Sequence, residues 1–178
     1  GALDRVEESQ GALRAAEAKY RSIFENAIEG IFQTTPEGAY LSANPALAAI
    51  YGYESAKAFL ESQRNAKEIY VNPDRRREFM DLVAEQGSVT EFEAQVYHKE
   101  GHIIWISESA RSVLGEDGTV AFYEGTVEDI TARKAADERM VRLRDRLEAI
   151  LQAVPGSVSR VDRELTYLEV NRHLAESF

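Results

Sequence analysis

Val89-Thr90-Glu91-Phe92-Glu93-Ala94-Gln95-Val96-Tyr97, Ile103-Ile104-Trp105-Ile106-Ser107-Glu108-Ser109-Ala110-Arg111-Ser112-Val113-Leu114 and Val120-Ala121-Phe122-Tyr123-Glu124-Gly125-Thr126-Val127-Glu128-Asp129 are three consecutive runs with the two-residue period of half-buried strands. Between them stand Lys99-Glu100-Gly101 and Glu116-Asp117-Gly118, each with a glycine where a hairpin needs an unusual backbone angle. The spacing predicts an antiparallel meander. Working back toward the N-terminus, Ile31-Phe32-Gln33-Thr34-Thr35 and Ala39-Tyr40-Leu41-Ser42-Ala43 flank Pro36-Glu37-Gly38 and read as a further hairpin. The chain thus predicts five strands, two before and three after a group of helices. In this α+β arrangement short helices cover one face of a five-stranded antiparallel sheet, and amphipathic helices at the N- and C-terminal sides are available for the other.

The helices between the two strand groups carry their own punctuation. Asn44-Pro45 and Asn72-Pro73 each place a capping asparagine before a proline at the first helical position. The first opens a short helix through Ala46, Leu47, Ala49, Ile50 and Tyr51 that Gly52 ends. Ser55 can cap a second short turn through Phe59-Leu60. The helix after Asn72 buries Phe79, Leu82 and Val83 and stops before Gly87. Gln63 to Tyr70 has no clear period, and Arg75-Arg76-Arg77 are expected on a solvated helix face.

Flanking segments carry apolar stripes that need partners. Leu3, Val6, Leu13, Tyr20, Phe24 and Ala27 recur at three- and four-residue steps, although Gln10 and Glu17 interrupt the seam and Gly11 weakens it. Such a helix either packs on its own domain or buries its stripe against another chain. From Thr131 to Val154 there is neither glycine nor proline before Pro155, and Ala136, Met140, Leu143, Leu147, Ile150 and Val154 alternate steps of four and three. That is the seam of a parallel coiled coil.

A partial repeat sets the domain organisation. Ala27-Ile28-Glu29-Gly30 answers to Ala153-Val154-Pro155-Gly156, and Tyr40-Leu41, Asn44 and Leu47-Ala48 answer to Tyr167-Leu168, Asn171 and Leu174-Ala175. The offset grows by one residue between the blocks, as a lengthened hairpin turn would produce. The expected organisation is an N-terminal helix over 1–19, a complete module over 20–131, a coiled-coil linker over 132–152 and the incomplete start of a second module over 153–178. The natural protein is expected to continue past Phe178.

Composition narrows the function classes. Hydrophobic residues make up 44% of the 178 and charged residues 29%, enough for a core. No apolar run approaches the ~20 residues of a membrane span. The net charge of −10 argues against nucleic acid and anionic membranes as partners. With no cysteine there is no disulfide, thiolate nucleophile or Cys-ligated zinc. His98 and His102 flank the Lys99-Glu100-Gly101 turn, where they either bind a metal with Glu100 or belong to an ordinary solvated turn; His173 is expected on the surface. No catalytic constellation or phosphate-binding loop appears.

Asn44-Pro45-Ala46, Tyr51-Gly52-Tyr53, Gly101 with Trp105, and Asp129-Ile130-Thr131 at the end of the last strand, in this order and spacing, resemble a PAS domain from about Tyr20 to Thr131. The resemblance implies a sheet cupping a small cavity beneath its helices, used for sensing and dimer contacts in larger signalling proteins, and a bacterial, cytoplasmic setting. Light-sensing flavin members need a cysteine in the helical region, so a cysteinyl-flavin adduct is excluded. Haem-binding members present an axial histidine from the long helix, and Pro73 to Gln86 contains none. The cofactor is otherwise unknown.

If Trp105 faces outward, as the resemblance suggests, alternation points Ile104, Ile106, Glu108 and Ala110 inward, joined by Phe92, Ala94 and Val96 and by Tyr123, Gly125 and Val127. Glu108 is the one carboxylate on this wall, either a polar handle for a small ligand or a group satisfied by an internal hydroxyl such as Tyr123. Asp129, Ile130 and Thr131 are the expected relay from sheet to helix. Leu3, Val6, Leu13, Trp105, Met140, Leu143, Leu147 and Ile150 are the expected dimer contacts. The expected function is a homodimeric sensor and relay for a downstream domain of the same protein. Two alternatives are a ligand-free interaction and dimerisation module and a metal-dependent enzyme at the hairpin histidines.

Overall fold

The computed structural model describes residues 2–153, 159–161, 163 and 166–170, with the backbone alone over 2–9, 160 and 167–170. Helix α1 (Ala2–Asn26) leads into β1 (Gly30–Thr34) and β2 (Tyr40–Ala43). Three helices follow, α2 (Pro45–Ile50), α3 (Ala56–Glu61) and α4 (Pro73–Gln86), then β3 (Ser88–Tyr97), β4 (Ile103–Leu114) and β5 (Val120–Asp129). Helix α5 (Thr131–Ala153) and a short hairpin, β6 (Ser159–Val161) with β7 (Tyr167–Val170), are the last of the described elements. Backbone contacts divide the chain into two compact units after Thr131.

In the first unit the sheet order is β2-β1-β5-β4-β3, with every neighbouring pair antiparallel. The last strand therefore inserts between the first and fourth, and the five strands expected from periodicity are present. The caps form as the sequence predicts: the Asn44 side chain accepts from Leu47 N–H, Ser55 from Ala58 N–H and Asn72 from Asp74 N–H. Gly87 ends α4 in the left-handed conformation at φ 77°.

Strand alternation holds through most of the meander and breaks twice, at the end of β4 between Val113 and Leu114 and near the start of β3. Glu91 adopts φ 52° at an irregularity in register between Val89 and Phe92. This bulge inserts extra chain between two residues that both face the core, since Phe92 is buried and Val89 packs against it. Ile104, Ile106, Glu108 and Ala110 are buried on β4, as are Phe92, Ala94 and Val96 on β3 and Val127 on β5. Opposite them the helices supply Leu47, Tyr51, Phe59, Phe79 and Val83. Between Ala110 and Phe32 the sheet leaves no room for a side chain: a Cβ on Gly125 would lie 2.1 Å from the Ser109 carbonyl oxygen and 2.9 Å from Ala110 Cβ.

Two expectations need correction. Arg76 is not on a solvated face; it is 8% exposed and belongs to the buried side of α4, while Arg77 is exposed. The α4 stripe turns slightly farther than the apolar residues alone indicate, because a guanidinium can lie over aromatic rings. The extra residue of the second repeat is not in its hairpin turn either. Ser159↔Val170, Arg160↔Glu169 and Val161↔Tyr167 match Phe32↔Ala43, Gln33↔Ser42 and Thr34↔Tyr40, each pair 127 residues later and with the same irregularity after the second pair. The turns are equal in length, and the insertion precedes Ser159.

Helix α1 continues unbroken through 19/20 to Asn26, so the expected boundary lies inside a helix. Leu13, Tyr20 and Ile23 are exposed on it. The side chains of Leu3 and Val6 lie outside the described residues, as do Val154, Asn171 and the rest of the second repeat from Asn171 to Phe178.

Asn44 holds three elements at once. Its Oδ1 accepts from Ile31 N–H at 2.8 Å and Leu47 N–H at 2.9 Å, and its Nδ2 donates to the carbonyls of Phe24 at 3.1 Å and Glu29 at 2.9 Å. Asn44→Ala should therefore cost about 3–5 kcal/mol, more than the roughly 1 kcal/mol of a helix cap, because buried partners lose their bonds as well. Urea denaturation measures it; a loss of only about 1 kcal/mol would reduce Asn44 to a cap.

Candidate functional site

The buried wall predicted from alternation contains one carboxyl group, and three elements converge on it. Glu108 comes from the middle of β4 and is 5% exposed. Tyr70, from the irregular segment before α4, is placed by a bridge between Tyr70 and Val96 on β3. Its hydroxyl donates to Glu108 Oε2 at 2.5 Å. Arg76, one turn into α4, lies with its guanidinium carbon 5.4 Å from the Tyr70 ring centroid and 5.2 Å from that of Phe79. The Nε of Arg76 is buried without a hydrogen-bond partner.

Burial pushes the Glu108 carboxyl above its ordinary value, against the pull of the Arg76 charge and the Tyr70 hydrogen bond. Burial likewise raises the Tyr70 hydroxyl well above its usual range, and the charge of Glu108 adds to the effect. Nearby, desolvation raises the hydroxyls of Tyr40 and Tyr51 above their ordinary range. The centre is thus a set of neutral hydroxyls around one carboxyl and one guanidinium in an apolar shell. Chemically it can bind or exchange a proton and offer donors to a small polar group.

The structure brings together Phe92, Ala94, Val96, Ile104, Ile106, Glu108, Ala110 and Val127 on one buried surface. Tyr123 and Gly125 are half-buried, Tyr123 against the core's edge. The internal hydroxyl that satisfies Glu108 is Tyr70 rather than Tyr123. Sequence reasoning missed Tyr70 because it lies in a segment without period, and missed Arg76 because its neighbours are charged. The available signal was position: Arg76 stands three residues before Phe79 and seven before Val83, on the same helical face.

The expected relay residues form a compact junction. Ile130 is buried, and its N–H donates to the Trp105 carbonyl at 2.9 Å. Trp105 N–H donates to Thr131 Oγ1 at 2.9 Å, while Thr131 N–H donates to Asp129 Oδ1 at 2.8 Å. Trp105 itself is half-buried. On the outer side of the sheet an open groove of about 440 Å³ runs between Tyr20 and Phe24 of α1 and the strand residues Ile31, Gln33, Arg111 and Glu124. Arg111 and Glu124 pair across its floor at 2.6 Å, and Gln33 donates to the same carboxylate.

In the second unit, α5 has no buried residue, and Met140, Leu143, Leu147 and Ile150 are all more than half exposed. Among the described residues no helix is long and apolar enough to cross a membrane.

A five-stranded antiparallel sheet with helices packed over one face and a polar cluster enclosed between them defines an α+β module with a sealed centre. Residues 28–132 match the family model for the PAS domain, and the chain belongs to that family. It is 27% identical over 143 residues to the sensor histidine kinase TmoS of Ectopseudomonas mendocina, covering 80% of this chain and 15% of that protein. It is also 27% identical over 132 residues to the bacterioopsin transcriptional activator of Halobacterium salinarum, covering 74% of this chain and 19% of the relative. Among solved structures, the PAS domain of a Colwellia psychrerythraea protein superposes with a TM-score of 0.57 at 25% identity, over 66% of this chain and 98% of that one. The chain therefore spans less than a fifth of the length of these two curated relatives. The relatives support a sensory role in signalling.

The raised Glu108 pKa predicts a pH dependence. The folded state holds this proton more tightly than the unfolded chain, so the associated stability is full below about pH 4.5 and is lost as pH rises through the folded value. Glu108→Gln is neutral throughout, so its stability relative to the unmodified protein should improve from pH 4.5 to 7. Denaturant midpoints of the two proteins across that range measure the difference. A flat difference would show that burial does not penalise the charged carboxylate.

Proposed function

We propose that this chain is a homodimeric sensor and relay module of a larger, cytoplasmic signalling protein. The Glu108–Tyr70–Arg76 cluster is its responsive centre, and catalysis by any output domain lies outside the chain. The observation that carries this reading is the short path from that centre to the helix. Glu108 pairs directly with Val127 on β5, two residues before Asp129. Ile130 and Thr131 are then bonded to both backbone groups of Trp105, three residues before Glu108 on β4. A small ligand that engaged the free Arg76 Nε–H, or a change in the protonation of Glu108, would repack both strands at the point where they lead into α5.

Dimerisation is supported by the apolar seam on α5. Met140, Leu143, Leu147 and Ile150 repeat at coiled-coil spacing with none buried within the chain, and a lone helix of this length is marginal. Within the first unit, the exposed Leu13 and Tyr20 of α1, the outer-face groove and Trp105 are further candidate dimer contacts. The β6–β7 hairpin is the opening of a second PAS module, because it repeats the register and irregularity of β1–β2. The array would then join one sensor to another through α5, and the downstream domain would read the pairing of the helices.

Leu143→Glu tests the relay directly. It places two like charges near the dimer axis and removes two buried leucines, and should cost several kcal/mol, on the order of 3–5, of dimer stability. The sheet domain should keep its fold, since its core precedes Thr131. Sedimentation of the variant and the signalling output of the parent protein are the measurements. Unchanged association together with unchanged output would rule out α5 as the relay.

A further inference from the structure

The β3–β4 turn gathers two imidazoles and a carboxylate at one point, at the end of β4 opposite the groove. His98 and His102 face each other across the turn, with His98 N–H donating to the His102 carbonyl at 2.9 Å. Their rings stack with centroids 4.1 Å apart and an interplanar angle of 26°. The Nδ1 atoms of His98 and His102 lie 4.0 and 3.8 Å from the same oxygen of Glu100. One ligand atom from each of the three residues falls within 4.8 Å of the other two.

We propose that His98, Glu100 and His102 form a binding site for a divalent transition-metal ion on the β3–β4 turn. A metal held at ~2.0–2.2 Å from each donor needs the donors roughly 3.0–3.5 Å apart. The closure required is about an ångström, and the side chains that must move are the free ones: Glu100 is 75% exposed and His102 is 54% exposed. His98 is already fixed. Its side chain is only 14% exposed and lies over Gly52, where a Cβ would stand 2.1 Å from Cε1, so a side chain at position 52 would push the ring from this place. Glu100 N–H donates to His98 Nδ1 at 3.2 Å, which assigns the Nδ1 lone pair to the side facing Glu100. That is the tautomer a metal takes, and the long amide contact is readily exchanged for a metal bond.

Two neutral imidazoles and one carboxylate suit Zn²⁺, Ni²⁺ or Cu²⁺ and are a poor set for Mg²⁺ or Ca²⁺, which prefer oxygen donors. The remaining coordination positions face solvent beside Glu100 and would be filled by water. All three ligands lie within five residues, so little chain entropy is lost on binding. The turn is anchored to the end of α2, where Lys99 N–H donates to the Tyr51 carbonyl at 2.9 Å and Lys99 Nζ stands 5.0 Å from the Tyr53 ring centroid. A bound ion would therefore clip β3 to β4 at the place where the meander docks on the helices. This site is independent of the sensor reading.

The test is calorimetric titration of the untagged chain with Zn²⁺ and with Ni²⁺ at pH 7.5, accompanied by thermal denaturation. Saturable one-to-one binding below about 100 µM and a rise in Tm with metal are expected. His102→Ala should weaken binding at least about tenfold, Glu100→Gln should weaken it to a smaller extent, and His173→Ala should leave it unchanged. Both test side chains on the turn are exposed, so circular dichroism of His102→Ala and Glu100→Gln should match the unmodified protein. Absence of saturable binding, or a His102→Ala variant that binds as tightly as the unmodified chain, would overturn the proposal.

Discussion

Four hydrogen bonds to one buried amide decide how this module closes. An asparagine side chain has two acceptor positions on its oxygen and two donors on its nitrogen, and at Asn44 all four are used. The partners belong to the end of α1, the loop before β1, β1 itself and the start of α2. Each is a backbone group, so the arrangement constrains where the chain runs and leaves the neighbouring side chains free to vary. Aspartate would keep the two accepted bonds but turn a negative oxygen toward two carbonyls, and serine is too short to reach both sides. The Asn-Pro-Ala signature thus reflects geometry as well as helix capping: proline supplies the first helical angle while asparagine ties that helix back to the strand beside it.

The same economy does not apply to the centre of the core. A protein seeking stability alone would fill the space around Glu108 with aliphatic groups, since isosteric apolar packing commonly matches or exceeds a buried charged pair. Here Glu108 gains a strong bond from Tyr70 and a favourable field from Arg76, yet burial still outweighs both in setting the direction of its proton affinity. Arg76 compounds the penalty by burying an unpartnered Nε–H, a group that ordinarily costs about 1–3 kcal/mol. Two adjacent unfavourable terms in an otherwise well-packed shell set this centre apart from the rest of the core, and the proposed sensing would draw on them.

What the sequence makes legible follows from how many residues carry each signal. The meander repeats its two-residue period over long strands and marks its turns with glycine, so its strands and the inward face of β4 can be assigned residue by residue. Helix starts are equally plain where asparagine precedes proline. The polar centre is harder, because the period that locates Glu108 says nothing about Tyr70, which is held by a single bridge to Val96 and the Glu108 bond. Arg76 is hidden for another reason. A triplet of arginines looks solvated from composition, and the nearby rings of Tyr70 and Phe79 together with the Glu108 carboxyl make burial of the middle one tolerable. The bulge at Glu91 is likewise invisible to alternation, since Val89 and Phe92 both reach the core although they are three residues apart.

The junction at Thr131 shows why a strand displacement would not be absorbed by slack chain. Flexible linkers lose a signal because each unconstrained residue can take up a small movement through its own dihedral angles. Between Asp129 and Thr131 there is one intervening residue, Ile130, and it is both buried and hydrogen-bonded to Trp105. Thr131 is held on two sides, by the Trp105 N–H at its hydroxyl and by the Asp129 carboxylate at its amide. The first residue of α5 is therefore bonded to β4 as well as continuous with β5. On the relay reading proposed above, a shift of either strand would rotate or translate that residue, and a helix without glycine or proline would carry the change along its length. The apolar stripe of α5, Met140, Leu143, Leu147 and Ile150, is exposed among the described residues. If two such helices pair as proposed above, the energetic barrier would reside in that pairing, and a module built in this way would set its threshold there.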